Sequence, residues 1–332
     1  MGNKTILVTG GAGFIGCHLV EYLLKKYPNY QILNLDSLTY AGDLKRLEFC
    51  QNNSNYKFIH GNICNSNLLN EIFSSYKVDG IFHLAAESHV DNSIASPQIF
   101  VETNINGTFY LLESAKKHWQ NREGKFLHVS TDEVYGSLGK DGYFTENTPY
   151  APNSPYSASK AASDFLVRSY FHTFNLPILI SNCSNNFGPK QHDEKLIPTI
   201  IRKALSGEQI PIYGNGQNIR DWLYVTDHAS ALDKIFHEGK AGESYNIGTH
   251  NEKTNIELAK MICEILDDIK PLTDGSKYIK LISYVKDRAG HDFRYAIDNS
   301  KMINELGWQA NSVFVNTLKY TVQWYVEQYD AK

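Results

Sequence analysis

No apolar run in this chain of 332 residues approaches the length that a bilayer crossing needs, and its first residues read as a strand, not as a signal peptide. A basic arm is missing as well: 32 lysines and arginines stand scattered against 36 aspartates and glutamates, for a net charge of −4. That balance offers nothing to draw the chain to nucleic acid or to an anionic membrane. Five cysteines (Cys17, Cys50, Cys64, Cys183, Cys263) make no CxxC pair and no zinc spacing, which fits buried thiols in a reducing compartment. The 12 histidines include no HExxH cluster, so no metal site is expected. Internal repeats and low-complexity tracts are absent too. These absences leave a soluble, cytoplasmic globular protein, long enough for one large domain or two that share a cleft.

What is present is an alternation of short apolar runs with amphipathic segments. Thr5–Thr9, Gln31–Asp36, Tyr56–His60, Gly80–Leu84, Phe126–Thr131 and Ile178–Ser181 read as strands, with helical patterns such as Ile15–Tyr27 and Gln98–His118 between them. Strands spaced by helices give right-handed βαβ units, so the expected fold is α/β, a Rossmann-type doubly wound parallel sheet. After about residue 182 prolines and glycines punctuate shorter elements, which predicts a smaller mixed α/β domain. Residues 1–182 are the expected cofactor-binding domain carrying the catalytic residues, with some later segments free to return to it, and residues 183–332 the expected substrate-binding domain.

Gly10, Gly13 and Gly16 follow the first strand directly and open the first helix. Three glycines so spaced allow a tight turn, close approach of the backbone to a pyrophosphate, and close packing of helix on strand, while the helix N-terminus supplies free N–H groups. Asp36 ends the second strand, 20 residues after Gly16. A carboxylate there accepts from both ribose hydroxyls and repels a 2′-phosphate, so the expected cofactor is NAD.

Two further pairs carry chemistry. Tyr156 and Lys160 lie four apart, on one face of a helix entered through the turn 151–155. An ammonium stabilises a phenolate, so Lys160 is expected to lower the Tyr156 pKa towards neutrality and to ready it as a base for a sugar hydroxyl. Asp132 and Glu133 follow the strand that ends in Thr131. An isolated Asp-Glu there is ordinarily a solvated turn, but two carboxyls at a strand end of an α/β sheet serve as acid and base if their surroundings split their proton affinities.

With these residues in place, the chain resembles the extended short-chain dehydrogenase/reductase family that works on nucleotide sugars. Tyr156 and Lys160 match its catalytic dyad, and Thr131 sits where it keeps a Ser or Thr that bonds the sugar. Asp132-Glu133 stand where the family's 4-epimerases carry small or hydroxyl residues, and this is similar to its 4,6-dehydratase branch. Leu84–Asp91, Asn185–Pro189, Glu194–Pro198, Arg220–Val225 and Asp287–Asp292 carry the same likeness, over nearly the whole chain.

The resemblance implies conversion of dTDP-glucose to its 4-keto-6-deoxy product. Tyr156 takes the C4 hydroxyl proton, Glu133 the C5 proton, Asp132 protonates the leaving C6 hydroxyl, and a tightly held NAD is regenerated at each turnover. UDP-glucose is the alternative substrate, because its dehydratases share these residues; an epimerase, a decarboxylase or a non-catalytic NAD-binding regulator are the more distant readings. Implied cofactor contacts are Gly10, Gly13, Phe14, Ile15, Gly16, Asp36, Ser37, Leu38, Thr39, Asn62, Ile63, Leu84, Ala85, Ala86, Ser88, Thr103, Tyr156, Lys160 and Asn186. Implied substrate contacts are Ser88, Thr131, Asn185, Lys195, Leu196, Pro211, Tyr213, Arg220, Asn255, Arg288 and His291, with Lys195, Arg220 and Arg288 neutralising the pyrophosphate and Pro211 and Tyr213 holding the base. Asn62 replaces the family's usual Asp at the adenine and still accepts through its carbonyl oxygen. A homodimer is implied, paired through the helices of Gln98–His118 and Tyr156–Phe174.

Overall fold

The computed structural model describes residues 3–120, 123–287 and 290–330. Its central layer is a seven-stranded sheet. Six strands come from the first half: β1 (Lys4–Thr9), β2 (Tyr30–Asp36), β3 (Tyr56–His60), β4 (Val78–His83), β5 (Lys125–Thr131) and β6 (Ile178–Cys183). Helices α1 (Phe14–Lys26) and α2 (Ser66–Ser75) connect the early ones. Each sequence-predicted strand is present, to within three residues at either end.

All neighbours in the sheet are parallel, in the order β3-β2-β1-β4-β5-β6, with one further strand beyond β6. This is the Rossmann-type doubly wound arrangement, and its strand order reverses at β1, where such sheets place ligands beyond the carboxyl ends of the strands. Burial on both faces explains the unbroken apolar runs. Ile6 and Val8 of β1 face one core with Leu19, Val20 and Leu23 of α1, whereas Leu7 between them faces a second core with Leu69 and Ile72 of α2.

The predicted helix Gln98–His118 is in fact three pieces. After α3 (Val90–Ala95), α4 (Pro97–Phe100) passes into a π-helical stretch, Val101–Gly107, before α5 (Thr108–His118) resumes α-geometry. Apolar periodicity cannot register this widening, because the reason for it is polar. Asn104 accepts from the Glu87 N–H at 2.9 Å and donates to the Glu87 carbonyl at 3.0 Å and to Ser159 Oγ at 2.9 Å. The wide turn thereby ties the loop after β4 to α6 (Pro155–Phe174), which a Ser154 capping box starts and Asn175, at φ 55°, ends.

Beyond β6 the chain builds β7 (Asn185–Phe187), α7 (Leu196–Leu205), β8 (Ile210–Tyr213), β9 (Ile219–Tyr224), α8 (Val225–Glu238), β10 (Ser244–Ile247), β11 (Glu252–Thr254), α9 (Asn255–Ile269), β12 (Ile282–Val285), α10 (Ser300–Leu306) and α11 (Phe314–Asp330). Part of this returns to the first layer. β10 is the seventh strand, beside β6; α8 covers β4 with Phe236 stacked on Phe82 at 4.4 Å; Met302 and Leu306 of α10 join the same core. The remainder forms small sheets, β11-β9-β7 and β12-β8, around a third core that includes Ile200, Trp222, Ile262 and Leu318. No described helix is long and apolar enough to cross a membrane.

Candidate active site

The glycine turn is built by exclusion. Gly10 has φ +74°, and a Cβ there would lie 2.7 Å from the Ala85 nitrogen; a Cβ on Gly16 would lie 2.1 Å from the Gly10 carbonyl oxygen. Backbone packs directly on backbone, so α1 begins at the carboxyl end of β1 with its first N–H groups facing the switch-point crevice. Gly16→Ala should therefore cost ~1–3 kcal/mol by overpacking. The checks are thermal unfolding and the NAD retained on purification; an unchanged melt with full NAD content would overturn this account of the turn.

Asp36 ends β2 nearly buried. Its Oδ2 accepts from the Ala12 N–H at 2.9 Å and its Oδ1 from the Leu38 N–H at 2.8 Å. Two backbone donors thus fix the carboxylate and leave each oxygen a second lone pair to offer a ribose. Leu38 does the structural part, with φ 51°, and is absent from the cavity wall. The Asn62 oxygen, which the sequence reading offers to adenine, accepts from the Cys64 N–H at 2.8 Å and closes a turn.

One cavity of ≈ 340 Å³ runs from the glycine turn to the end of β5. Its walls contain every implied cofactor residue except Leu38, and all five implied catalytic residues. Donors at a helix start, a fixed carboxylate at the second strand end and an apolar middle (Ile15, Ile63, Leu84) suit a dinucleotide.

At the catalytic end, the last residue of β5, Thr131, caps a 3₁₀ turn over Asp132–Tyr135: Thr131 Oγ1 accepts from the Glu133 N–H at 3.3 Å and donates to Asp132 Oδ1 at 3.3 Å. The turn buries Asp132, 2 % exposed, and brings Glu133 to the cavity. Asp132 Oδ2 is buried with no hydrogen-bond partner. Burial, then the Glu133 charge, push the Asp132 carboxyl well above the usual carboxylate range, against the pull of Arg220. That direction favours the protonated form of Asp132, the form with a hydroxyl to give.

Tyr156 and Lys160 stand one turn apart on α6 and both line the cavity. Here the structure reverses an expectation. Tyr156 is not lowered: burial, then Glu133 and Cys183, hold its hydroxyl well above the ordinary value, with the Thr131 hydroxyl bond working the other way. The Lys160 ammonium donates to the Val129 carbonyl at 2.9 Å, and burial pushes its own pKa down. Helical spacing shows that the two side chains are neighbours; it cannot show the burial, or the Glu133 carboxylate from the turn after β5, that raise the Tyr156 hydroxyl.

Of the implied substrate residues, Ser88, Thr131, Asn185 and Lys195 line this cavity. Lys195 Nζ donates to the Ser88 carbonyl at 3.2 Å. Leu196, Pro211, Tyr213, Arg220, Asn255 and His291 lie outside its wall, and Arg288 lies outside the described residues. Leu196 packs against the third core. Arg220 of β9 is 5 % exposed, with its guanidinium over the Tyr295 ring at 4.3 Å and donating to the Asp292 carbonyl at 3.0 Å. Asn255 begins α9 with its Oδ1 buried and without a hydrogen-bond partner. Tyr213 and His291 are neighbours at 6.2 Å near Pro211, and His291 Nδ1 lies 2.7 Å from Asp287.

Glu194 of the cavity wall was not singled out in the sequence for a role. Its carboxylate accepts from the Tyr40 hydroxyl at 3.3 Å and lies 3.6 Å from His192 and 3.8 Å from Lys195. Tyr40 and Glu194 are 154 residues apart, so no local pattern signals the pairing.

Known proteins share both the sequence and the shape. The family model described as GDP-mannose 4,6 dehydratase matches residues 7–321. A dTDP-glucose 4,6-dehydratase of Neisseria gonorrhoeae is 52% identical over 335 residues, 98% of this chain and 96% of its own. The crystal structure of dTDP-glucose 4,6-dehydratase from Bacillus anthracis in complex with NAD is 47% identical, with a TM-score of 0.88 over 98% of each chain. That of the Streptomyces venezuelae dTDP-glucose 4,6-dehydratase DesIV, with NAD bound, is 43% identical, with a TM-score of 0.91 over 98% of each chain.

Proposed function

The chain belongs to the GDP-mannose 4,6 dehydratase family, and from that premise we propose that it is an NAD-dependent nucleotide-sugar 4,6-dehydratase acting on dTDP-glucose. The observation that carries the reading is the Asp132-Glu133 pair. A buried carboxyl pushed towards its protonated form, beside a second carboxyl on the wall of the same cavity, is what loss of water across C5 and C6 requires.

NAD, when bound, would supply the acceptor for the C4 hydride, a positive charge, and the donor that returns the hydride at C6. The chain's own residues move the protons. Tyr156 Oη takes the C4 hydroxyl proton, with Thr131 positioning the sugar. Oxidation at C4 makes the C5 hydrogen acidic, and Glu133 removes it and gives a proton back to C5 once the hydride has returned at C6. Asp132 gives its proton to the departing C6 hydroxyl, which leaves as water, and regains one before the next turnover. Gly10, Gly13, Gly16 and Asp36 hold the cofactor. Residues 1–182 with the later segments that rejoin the large sheet form the cofactor half, and the rest of 183–332 the nucleotide-sugar half. There Lys195, Arg220 and Arg288 are assigned to the pyrophosphate, with Pro211 and Tyr213 at the base.

Ile99 of α4, Val101 of the π-helical stretch, Phe109 of α5 and Phe165 of α6 are apolar side chains with exposures of 40–58 %. They support the proposed homodimer. All five thiols are free, in keeping with a cytoplasmic enzyme.

The test is incubation of the purified protein with dTDP-glucose and, separately, UDP-glucose, followed by alkali-induced absorbance of a 4-keto-6-deoxy sugar. Product from dTDP-glucose in excess over UDP-glucose is expected. Product mainly from UDP-glucose overturns the base assignment, and no product from either overturns the dehydratase reading.

A further inference from the structure

We propose that Asp164 is the buried counter-charge of Lys160 and, acting through His128, the positioning residue that keeps that ammonium charged and in place behind Tyr156. The inference rests on the dehydratase reading above, and it adds a part to the machinery on the sealed side of the cavity, away from substrate.

The sequence spaces Tyr156, Lys160 and Asp164 four apart, so all three lie along one face of α6. Asp164 is 0 % exposed. Its Oδ2 accepts from Ser130 Oγ at 2.8 Å and from the Tyr150 hydroxyl at 2.9 Å, so two hydroxyls already point at the carboxyl group. Its Oδ1 lies 3.2 Å from His128 Nε2. The same Nε2 lies 3.5 Å from Lys160 Nζ, so His128 stands between anion and cation. Burial, with the Lys160 charge, pushes His128 down to about 4, while Asp164 pulls the other way. The ring is therefore neutral, and its Nε2 is placed to accept from Lys160, while Asp164 Oδ1 lies 3.2 Å away with no hydrogen-bond partner among the described residues.

An ammonium that is 4 % exposed stays charged only if an anion is near. Burial lowers Lys160, and Asp164 is foremost among the groups that hold it up. The other groups around it do not take that part. From β4, His83 is driven neutral by burial; from β6, Cys183 is pushed up to about 12 and remains a thiol. Tyr156 and Asp132 are held protonated, and Glu133 faces the sugar, where its charge acts on those two. Among the described residues around Lys160, Asp164 is the carboxylate whose donors, Ser130 and Tyr150, are already arranged on the closed side. Its function is to let Lys160 meet a phenolate as a cation.

The test compares pH profiles with dTDP-glucose. Asp164→Asn should leave KM within about threefold, while kcat/KM falls ~10-fold on the alkaline side because Lys160 now loses its proton at lower pH. The alkaline limb moves down by about one pH unit. His128→Leu, which can neither accept nor donate, should move the limb in the same direction and covers the case in which Asp164→Asn does not fold. His128→Gln, whose amide can accept from Lys160 and donate to Asp164, should restore most of the profile. A loss equal at every pH, or an unmoved limb in the folded variants beside an active wild type, overturns the proposal and leaves the dehydratase reading intact. An inactive wild type overturns both.

Discussion

Asp132→Asn enzyme given dTDP-glucose should reduce its bound NAD and then stop, so that the near-ultraviolet absorbance of the reduced cofactor appears and persists. Asn is close in size to Asp, so the 3₁₀ turn and the Thr131 hydroxyl bond to position 132 have little reason to change. What is lost is a proton. The amide cannot protonate the C6 oxygen, and water must leave as hydroxide. A general acid contributes typically ~10²–10⁴-fold, and formation of the 4-keto-6-deoxy product should slow by that factor. The first oxidation needs only Tyr156 and the cofactor, so it should survive. It should proceed at a similar pH, because a neutral, protonated Asp132 and a neutral Asn present the same charge to Tyr156. Rapid mixing with absorbance detection, followed by product assay, checks both halves. If reduced cofactor never builds up, Asp132 acts before or during hydride transfer and the division of labour between the two carboxyls is wrong.

That division was half legible in the sequence. The dipeptide at a strand end pointed to two carboxyls, but which one is acid is decided by burial, and burial of position 132 comes from the way Thr131 caps the turn. The same reasoning separates what else could and could not be read. Strands β1 to β6 announced themselves because a sheet covered on both faces demands continuous apolar runs. β10 gave no such signal: it is four residues long, Ser244–Ile247, and takes its place beside β6 only because α8 delivers it there. The interruption of the helix at Val101–Gly107 was invisible for a related reason, since Asn104 bonds partners at 87 and 159. Gly10, Gly13 and Gly16 form a motif whose members are near one another in the chain, so a local pattern sufficed to point at the cavity they line. Leu38 came only with the resemblance, and its N–H donates to the Asp36 carboxylate while the residue stays out of the cavity wall. The Tyr40–Glu194 contact and the Asp164–His128 pair join distant segments, and only the assembled fold reveals them. The Tyr156 pKa went the wrong way because helical spacing reports on Lys160 and says nothing of burial or of Glu133.

Tyr156→Phe should abolish turnover by ~10²–10⁴-fold without any build-up of reduced cofactor, the opposite signature to Asp132→Asn. The ring is buried against Phe100, with centroids 6.3 Å apart, so Phe keeps the packing and removes only the hydroxyl. Among the described residues of the cavity wall no other phenol is present to replace it. Lys160 cannot serve, since as an ammonium it has no lone pair to take a proton and its Nζ is engaged by Val129. Because burial and Glu133 keep the Tyr156 hydroxyl protonated in the chain itself, the proton must leave only when the positive nicotinamide ring and the sugar have filled the cavity. Glu133 thus acts twice: its charge keeps Asp132 protonated for the elimination, and it restrains Tyr156 until the cofactor offsets it. Glu133→Gln offers the check on that coupling. It should lose elimination as Asp132→Asn does, yet lower the pH at which the first oxidation begins, since the charge that raises Tyr156 is gone. An acid limb for cofactor reduction that does not move in Glu133→Gln would show that burial alone sets the Tyr156 hydroxyl.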